Sequence, residues 1–179
     1  LAVANSLAAV DAGAVQVQGT INGFGERCGN ADLISVAANL GLKKGYRVLG
    51  GRPLDRLTEL SRFVYETANV HLRNNQPFVG HSAFAHKGGV HVNAVAKNPL
   101  AYEHIRPEQV GNDQRIIVSD LAGKSNIAFK AKEFGIDVGD SNASSRKIVR
   151  EIKRLEDQGF QFDAADGSSS LPCCSASEP

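Results

Sequence analysis

The sequence predicts an α/β fold in which the closing part of a larger α/β body is followed by compact helical units. Three observations carry this expectation. Val15-Gln-Val-Gln18 alternates apolar and polar residues, as a strand does. It runs into the glycine-rich stretch Gly19-Thr-Ile-Asn-Gly-Phe-Gly-Glu-Arg-Cys-Gly-Asn30, and Ala31 to Leu40 then follows with helical spacing. Strand, glycine-rich turn and helix is the layout that sets small polar groups at the mouth of an α/β sheet or barrel. A single helix–strand–helix passage cannot cover both faces of a sheet, so this passage reads as the end of something larger.

In chain order, Leu1 to Ala12 reads as an amphipathic helix closed by Gly13. Val15 to Gly19 is the strand, and Gly29 to Leu40 the end of the loop and the next helix, stopped by Gly41. Pro53 at a first helical turn, with Leu54, Leu57, Leu60, Phe63, Val64 and Ala68 at helical spacing, predicts a further helix. Asn74-Asn-Gln-Pro77 marks a boundary. From Phe78 the texture changes: three of the five histidines fall between His81 and His91, with Gly88 and Gly89 among them. His91 followed by Asn93 suits a helix start or a turn that exposes both. Tyr102 to Pro107 is polar and irregular, and Ile116 to Val118 suits a short strand. Ser125 to Phe134 and Ser141 to Leu155 read as helices, the latter built on Ile148, Val149, Ile152 and Leu155. From Asp166 the chain is poor in apolar residues and reads as a disordered tail.

Composition excludes several classes. A net charge of +1 with mixed signs makes no electrostatic case for nucleic acid, and no apolar run is long enough to span a membrane. Leu1 to Ser6 lacks the basic region of a signal peptide. Three cysteines build no disulfide framework, which fits a reducing cytoplasm; Cys173 and Cys174, adjacent in the polar tail, read as incidental. The chain holds no Met, and Leu1 to Val10 begins in mid-helix character without a cap, so the sequence reads as a fragment whose start is missing.

The glycine-rich stretch invites two readings. Its glycines allow positive φ or close backbone approach, and Thr20, Asn22, Glu26, Arg27 and Asn30 can bind oxyanions, water or a metal. Alternatively it is a tight turn with a Glu26–Arg27 surface pair and Asn30 as N-cap of the next helix. Two nucleotide loops are excluded. Gly23-x-Gly25-x-x-x-Gly29 is one residue too long for a dinucleotide fingerprint, and no ribose-binding acid follows roughly 20 residues on. Val118-Ser-Asp-Leu-Ala-Gly-Lys-Ser125 imitates a Walker A loop with Val118 where the first glycine must be. His81, His86 and His91 recur every five residues, which spreads them over different helix faces and makes no zinc site. His81, His86 and His104 therefore read as locally hydrogen-bonded residues.

Two blocks together are recognisable: Leu1-Ala-Val-Ala-Asn-Ser6 with Gly19 to Asn30, and Phe84-Ala-His-Lys-Gly-Gly-Val-His91. They resemble the 2-isopropylmalate, homocitrate and citramalate synthase family, acyl-CoA-dependent Claisen-condensing enzymes built on a TIM barrel with a divalent metal. Tyr102 to Gly111 and Leu155 to Gly167 look most like the citramalate synthase branch. The resemblance implies the C-terminal portion of a TIM barrel, its last strand and flanking helices, followed by small, mainly helical linker subdomains. The implied divisions are 1–75 for the end of the catalytic barrel and 76–137 for a linker subdomain with His91 and Tyr102. A second helical subdomain then covers 138–167 and a disordered tail 168–179.

The implied function is a portion of a synthase that condenses acetyl-CoA with pyruvate to citramalate, on a route to isoleucine. The alternatives are 2-isopropylmalate synthase, on a route to leucine, or homocitrate synthase, and a non-catalytic dimerisation module. By the same resemblance Asn30 completes the environment of a Mg, Mn or Zn ion whose other ligands, an Asp and a His-x-His pair, correspond to positions ahead of Leu1. Glu26 matches an acidic residue near the reacting centre, and Thr20 a strand end facing the 2-oxoacid. His91 and Tyr102 match a His and a Tyr that assist enolisation of the acetyl group or the later hydrolysis. In the family that linker reaches over the partner barrel of a homodimer. After Gly167 the sequence departs from the family pattern, which reads as a frameshift or an early end.

Overall fold

The structure is a computed structural model that describes residues 1–86, 89–117 and 142–160. It divides into two compact units, Leu1–Phe84 with Ile105–Asp113, and Ala85–His104 with Gln114–Pro179.

The first unit opens with helix α1, Ala2–Asp11, none of whose residues is buried. Gly13 follows with φ 106°, a left-handed conformation that ends the helix where glycine was expected to end it. The predicted strand over Val15 to Gly19 does not form. Residues 14–19 belong to no element, Val15 is fully exposed, and the only pairing is an isolated parallel bridge between Thr20 and Asp32. A strand needs a ladder partner, and no described segment supplies one beyond that bridge. Thr20 itself is extended and leads into a 3₁₀ turn, Ile21–Gly23.

Helix α2, Leu33–Ala38, starts from Asp32 rather than Asn30. The Asp32 side chain accepts from the Ile34 amide at 3.1 Å and from the Ser35 hydroxyl at 2.8 Å. Asp is an equally good cap and sits two residues closer to the start of the helix at Leu33. Nor does Gly41 stop the helix, which continues as a π-type turn over Asn39–Lys43. Gly41 lies in contact range of Leu54 and Val48 side chains, so the missing Cβ serves packing there.

Helix α3, Leu57–Thr67, begins after Pro53 and Leu54 rather than on them. Its inward face is Leu57, Thr58, Ser61 and Tyr65; of the expected Leu54, Leu57, Leu60, Phe63, Val64 and Ala68, Leu54 and Leu57 are buried and Val64 is half-buried. Leu60 is 39% and Phe63 62% exposed. The buried polar groups find partners: the Thr58 hydroxyl donates to Val110 O at 2.8 Å, within the returning 3₁₀ segment Pro107–Val110. Around them the core gathers Ile34, Ala38, Leu54, Leu57, Phe78, Val79, Phe84, Ile105 and Val110.

The second unit contains a two-residue parallel pair, β1 (Ala85–His86) and β2 (Arg115–Ile116), in the register Ala85–Arg115 and His86–Ile116. The expected strand at Ile116 to Val118 thus begins one residue earlier, and its partner β1 carries no alternation that marks it in sequence. Helix α4, Gly89–Lys97, buries Val92 and Val95. Helix α5, Asn142–Asp157, buries Ile148 and Ile152 and leaves Val149 and Leu155 half-buried, close to the expected helix over 141–155. The helix expected over 125–134 and the tail from 166 lie outside the described residues.

Candidate functional site

In the first unit the glycine-rich turn folds back on itself. A Cβ on Gly19 would meet Ala31 O, and one on Gly29, whose φ is 96°, would meet Gly23 O. The backbone that lies against these glycines is therefore the turn's own. Thr20 Oγ1 donates to Phe24 O, and Asn30 Nδ2 donates to the same carbonyl at 3.0 Å, so these two candidate residues share one acceptor. The arrangement leaves Asn30 Oδ1 as an acceptor at an exposed position. Glu26 stands apart from both. It pairs with Arg27 at 3.0 Å with the side chains 86% and 84% exposed, the surface pair the residue types suggested.

Behind the turn lies a buried polar network that the sequence did not reveal. Asn22, 2% exposed with φ 62°, donates from Nδ2 to Ser61 O at 2.9 Å. Its Oδ1 accepts from the Ser61 hydroxyl at 2.6 Å and from Gln76 Nε2 at 3.1 Å. Gln76 Nε2 also reaches Asp32 Oδ2 at 3.3 Å, and Gln76 Oε1 accepts from the Tyr65 hydroxyl at 2.8 Å. Arg73 closes the network, donating to Tyr65 Oη at 3.0 Å and to Asn22 O at 3.1 Å. Phe24 packs edge-on against Tyr65 with ring centroids 5.1 Å apart. The one sequence signal was indirect: an Asn three residues after a strand-like run tolerates left-handed φ better than most side chains.

Asn22, Cys28, Asn30, Asp32 and Arg73 line a cavity of about 490 Å³ against the first turn of α1. A second cavity of about 510 Å³ lies along α3, is lined mainly by Leu49, Leu54, Leu57, Leu60 and Phe63, and contains no candidate residue. The first cavity does not fit a divalent ion by itself. Both Asp32 oxygens are committed to Ile34, Ser35 and Gln76. Asn30 Oδ1 is then a single neutral oxygen, where Mg²⁺ or Zn²⁺ asks for several charged or imidazole donors. Among the described residues no three His, Cys, Asp or Glu side chains gather as a metal site.

The second unit brings two candidates together. His91, in the first turn of α4, and Tyr102, after the 3₁₀ turn Pro99–Ala101, place their rings 4.5 Å apart between centroids at an interplanar angle of 36°. Both are exposed, Tyr102 by 49%. In the same unit, His86 Nε2 lies 3.1 Å from Glu103 Oε1, the local hydrogen bond expected of that histidine. Gln114 Nε2 donates to the same oxygen at 2.8 Å. The side chains of His86 and Glu103 are 10% and 1% exposed, and Glu103 Oε2 is buried with no partner among the described residues. Glu103 was not singled out by sequence, because an acid in an otherwise polar run looks like surface. No helix among the described residues is long and apolar enough to cross a membrane.

Two family models match: an HMGL-like model over residues 1–64 and a homocitrate synthase post-HMGL domain-like model over residues 78–160. The chain is 56% identical over 170 residues to the (R)-citramalate synthase of Aquifex aeolicus, and 54% identical over 170 residues to that of Geobacter sulfurreducens. Each match covers 95% of this chain and 32% of the relative. A 2-isopropylmalate synthase of Sulfolobus acidocaldarius is 41% identical over 169 residues, covering 94% of this chain and 43% of that protein. The chain thus spans about a third of the length of the citramalate synthases it matches.

Proposed function

Because the chain belongs to the 2-isopropylmalate, homocitrate and citramalate synthase family over residues 1–64 and 78–160, we propose that it is the carboxy-proximal part of a citramalate-type synthase. That enzyme joins acetyl-CoA to pyruvate, in a route to isoleucine. The observation that carries the reading is the contact between His91 and Tyr102, two proton-handling groups stacked at an exposed helix start. The greater identity to citramalate synthases than to a 2-isopropylmalate synthase favours pyruvate as acceptor.

The chemistry asks for a base near neutrality and a donor for developing oxygen charge. A neutral His91 takes a proton from the acetyl methyl group at a ring nitrogen, as the C–H pair moves into the enolate. The Tyr102 hydroxyl donates to the enolate oxygen. The enolate carbon then bonds to the keto carbon of pyruvate, the resulting alkoxide is protonated, and water later cleaves the thioester to release CoA. Thr20 and Asn30, joined through Phe24 O, hold the glycine-rich turn as the floor on which the acceptor lies. Glu26, exposed at the turn's edge, presents its carboxylate to the reacting centre. Asn30 would contribute one ligand to the divalent metal of the family, which would polarise the keto carbonyl of the acceptor; no step is assigned to it.

In this reading residues 1–75 close a TIM barrel, with Val15 to Gly19 pairing once neighbouring barrel strands are present. The subdomain with His91 and Tyr102 serves the barrel of a second subunit in a homodimer. An exposed free thiol at Cys28 suits the reducing cytoplasm. The test is a graft: these 170 residues replace the matching segment of the A. aeolicus enzyme, and release of CoA thiol is followed with acetyl-CoA and pyruvate. Turnover by the graft is expected. A graft that melts as cooperatively as its parent yet turns over no pyruvate contradicts the proposal.

A further inference from the structure

We propose that Glu103 is a positioning residue for the His91–Tyr102 pair, an inference that rests on the reading of that pair as the proton-handling element. Glu103 and Tyr102 are neighbours in the chain with opposite fates: the Glu103 side chain is 1% exposed and Tyr102 is 49% exposed. A carboxylate so deeply buried is costly unless donors reach it. Two do, His86 Nε2 at 3.1 Å and Gln114 Nε2 at 2.8 Å, both on Oε1. His86 ends β1 and Gln114 immediately precedes β2, so the carboxylate ties the loop of Tyr102 across the parallel pair. With Glu103 ionised it can only accept, which requires the proton of His86 on Nε2.

The other half of the ring contact has a separate anchor. His91 rides on α4, which is held by Val92 and Val95, each 1% exposed. One ring is therefore fixed by apolar packing on its own helix and the other by the buried acid next to it. Before Tyr102, Leu100 and Ala101 are exposed, and after it the first buried apolar residue, Ile105, lies beyond Glu103. Removing the acid frees Tyr102 while leaving α4 in place. The unpartnered Oε2 adds to this: a Gln at 103 keeps the accepting oxygen and the shape, whereas Ala removes both.

The experiment is side-chain NMR on the 179-residue chain, reading the ring protons of His91, the methyls of Val92 and Val95, and the nitrogen tautomer of His86. Tyr102→Leu first identifies the ring-current shift that Tyr102 imposes on His91. Glu103→Ala is expected to move the His91 protons to their Tyr102→Leu positions, with the Val92 and Val95 methyls unmoved. Glu103→Gln is expected to retain the original His91 positions, with the His86 proton still on Nε2. His91 protons that stay put in a Glu103→Ala chain with native methyl signals overturn the proposal. Should that variant lose the methyl signals, His86→Leu decides the matter: His91 protons that move beside fixed methyls support the tie, and unmoved ones overturn it. None of these readouts involves turnover. An inactive graft would sink the catalytic reading and leave this result standing.

Discussion

Asn22 takes a left-handed backbone at φ 62° and fills three hydrogen bonds through its amide group while 2% exposed. Both facts bear on a substitution. Asn22→Ala leaves the Ser61 hydroxyl buried without its acceptor, at about 1–3 kcal/mol, and Gln76 Nε2 with Asp32 Oδ2 alone. A left-handed Ala adds about 1–2 kcal/mol. The variant is expected to lose on the order of 2–5 kcal/mol, read from the urea midpoint, and Asn22→Gly to recover the backbone part alone. An Ala variant as stable as the parent would remove the network from the account. The sequence marked Thr20, Glu26, Asn30, His91 and Tyr102 through their motifs, and the structure joins four of them in two pairs, Thr20 with Asn30 and His91 with Tyr102, leaving Glu26 with Arg27. Ser61, Gln76 and Glu103 escaped, and so did the burial of Asn22, because burial of a polar side chain depends on partners as much as 54 residues away. No local pattern encodes such a partner.

Helices show the same division between local and distant causes. Those of α1 and α5 were legible because glycine ends one and period-3.6 apolar residues build the other. The orientation of α3 was not, since Thr58, Ser61 and Tyr65 are drawn inward by Val110, Asn22 and Gln76 and turn Phe63 outward. The strand at Val15 to Gly19 was read from an alternation that needs a neighbour to become a ladder. On α5, Glu151 accepts two hydrogen bonds from Arg154, at 2.6 and 2.9 Å, and these hold its carboxyl below the usual range. A depressed folded-state pKa gives stability that is present above the unfolded value and lost as pH falls through the folded one. The pair is exposed, so its contribution to stability is small. Arg154→Ala should return the Glu151 titration, followed through its side-chain carboxyl carbon, toward the ordinary value. An unchanged midpoint would show that the pair does not persist in solution.

At the scale of the molecule, two short motifs identified the family, because glycine-rich turns and His-Lys-Gly-Gly blocks are set by chemistry rather than by packing. The divisions they implied did not include the return of Ile105–Asp113 to the first unit after the loop of Tyr102. They also implied a metal, for which the described residues gather no three His, Cys, Asp or Glu side chains. Calorimetric titration of the 179-residue chain with Mg²⁺, Mn²⁺ or Zn²⁺ should show no stoichiometric binding at the turn that Asn30→Ala abolishes. The central claim is that His91 and Tyr102 do chemistry in the barrel of a second subunit. It is tested most directly by mixing two variants of the grafted enzyme, His91→Ala and Glu26→Ala. Each alone should lose kcat by on the order of 10²–10⁴, the usual span for an acid–base group. In a mixed dimer one site keeps an intact barrel and receives an intact His91, so part of the parent activity should return. Mixed dimers no more active than either variant alone would contradict the claim.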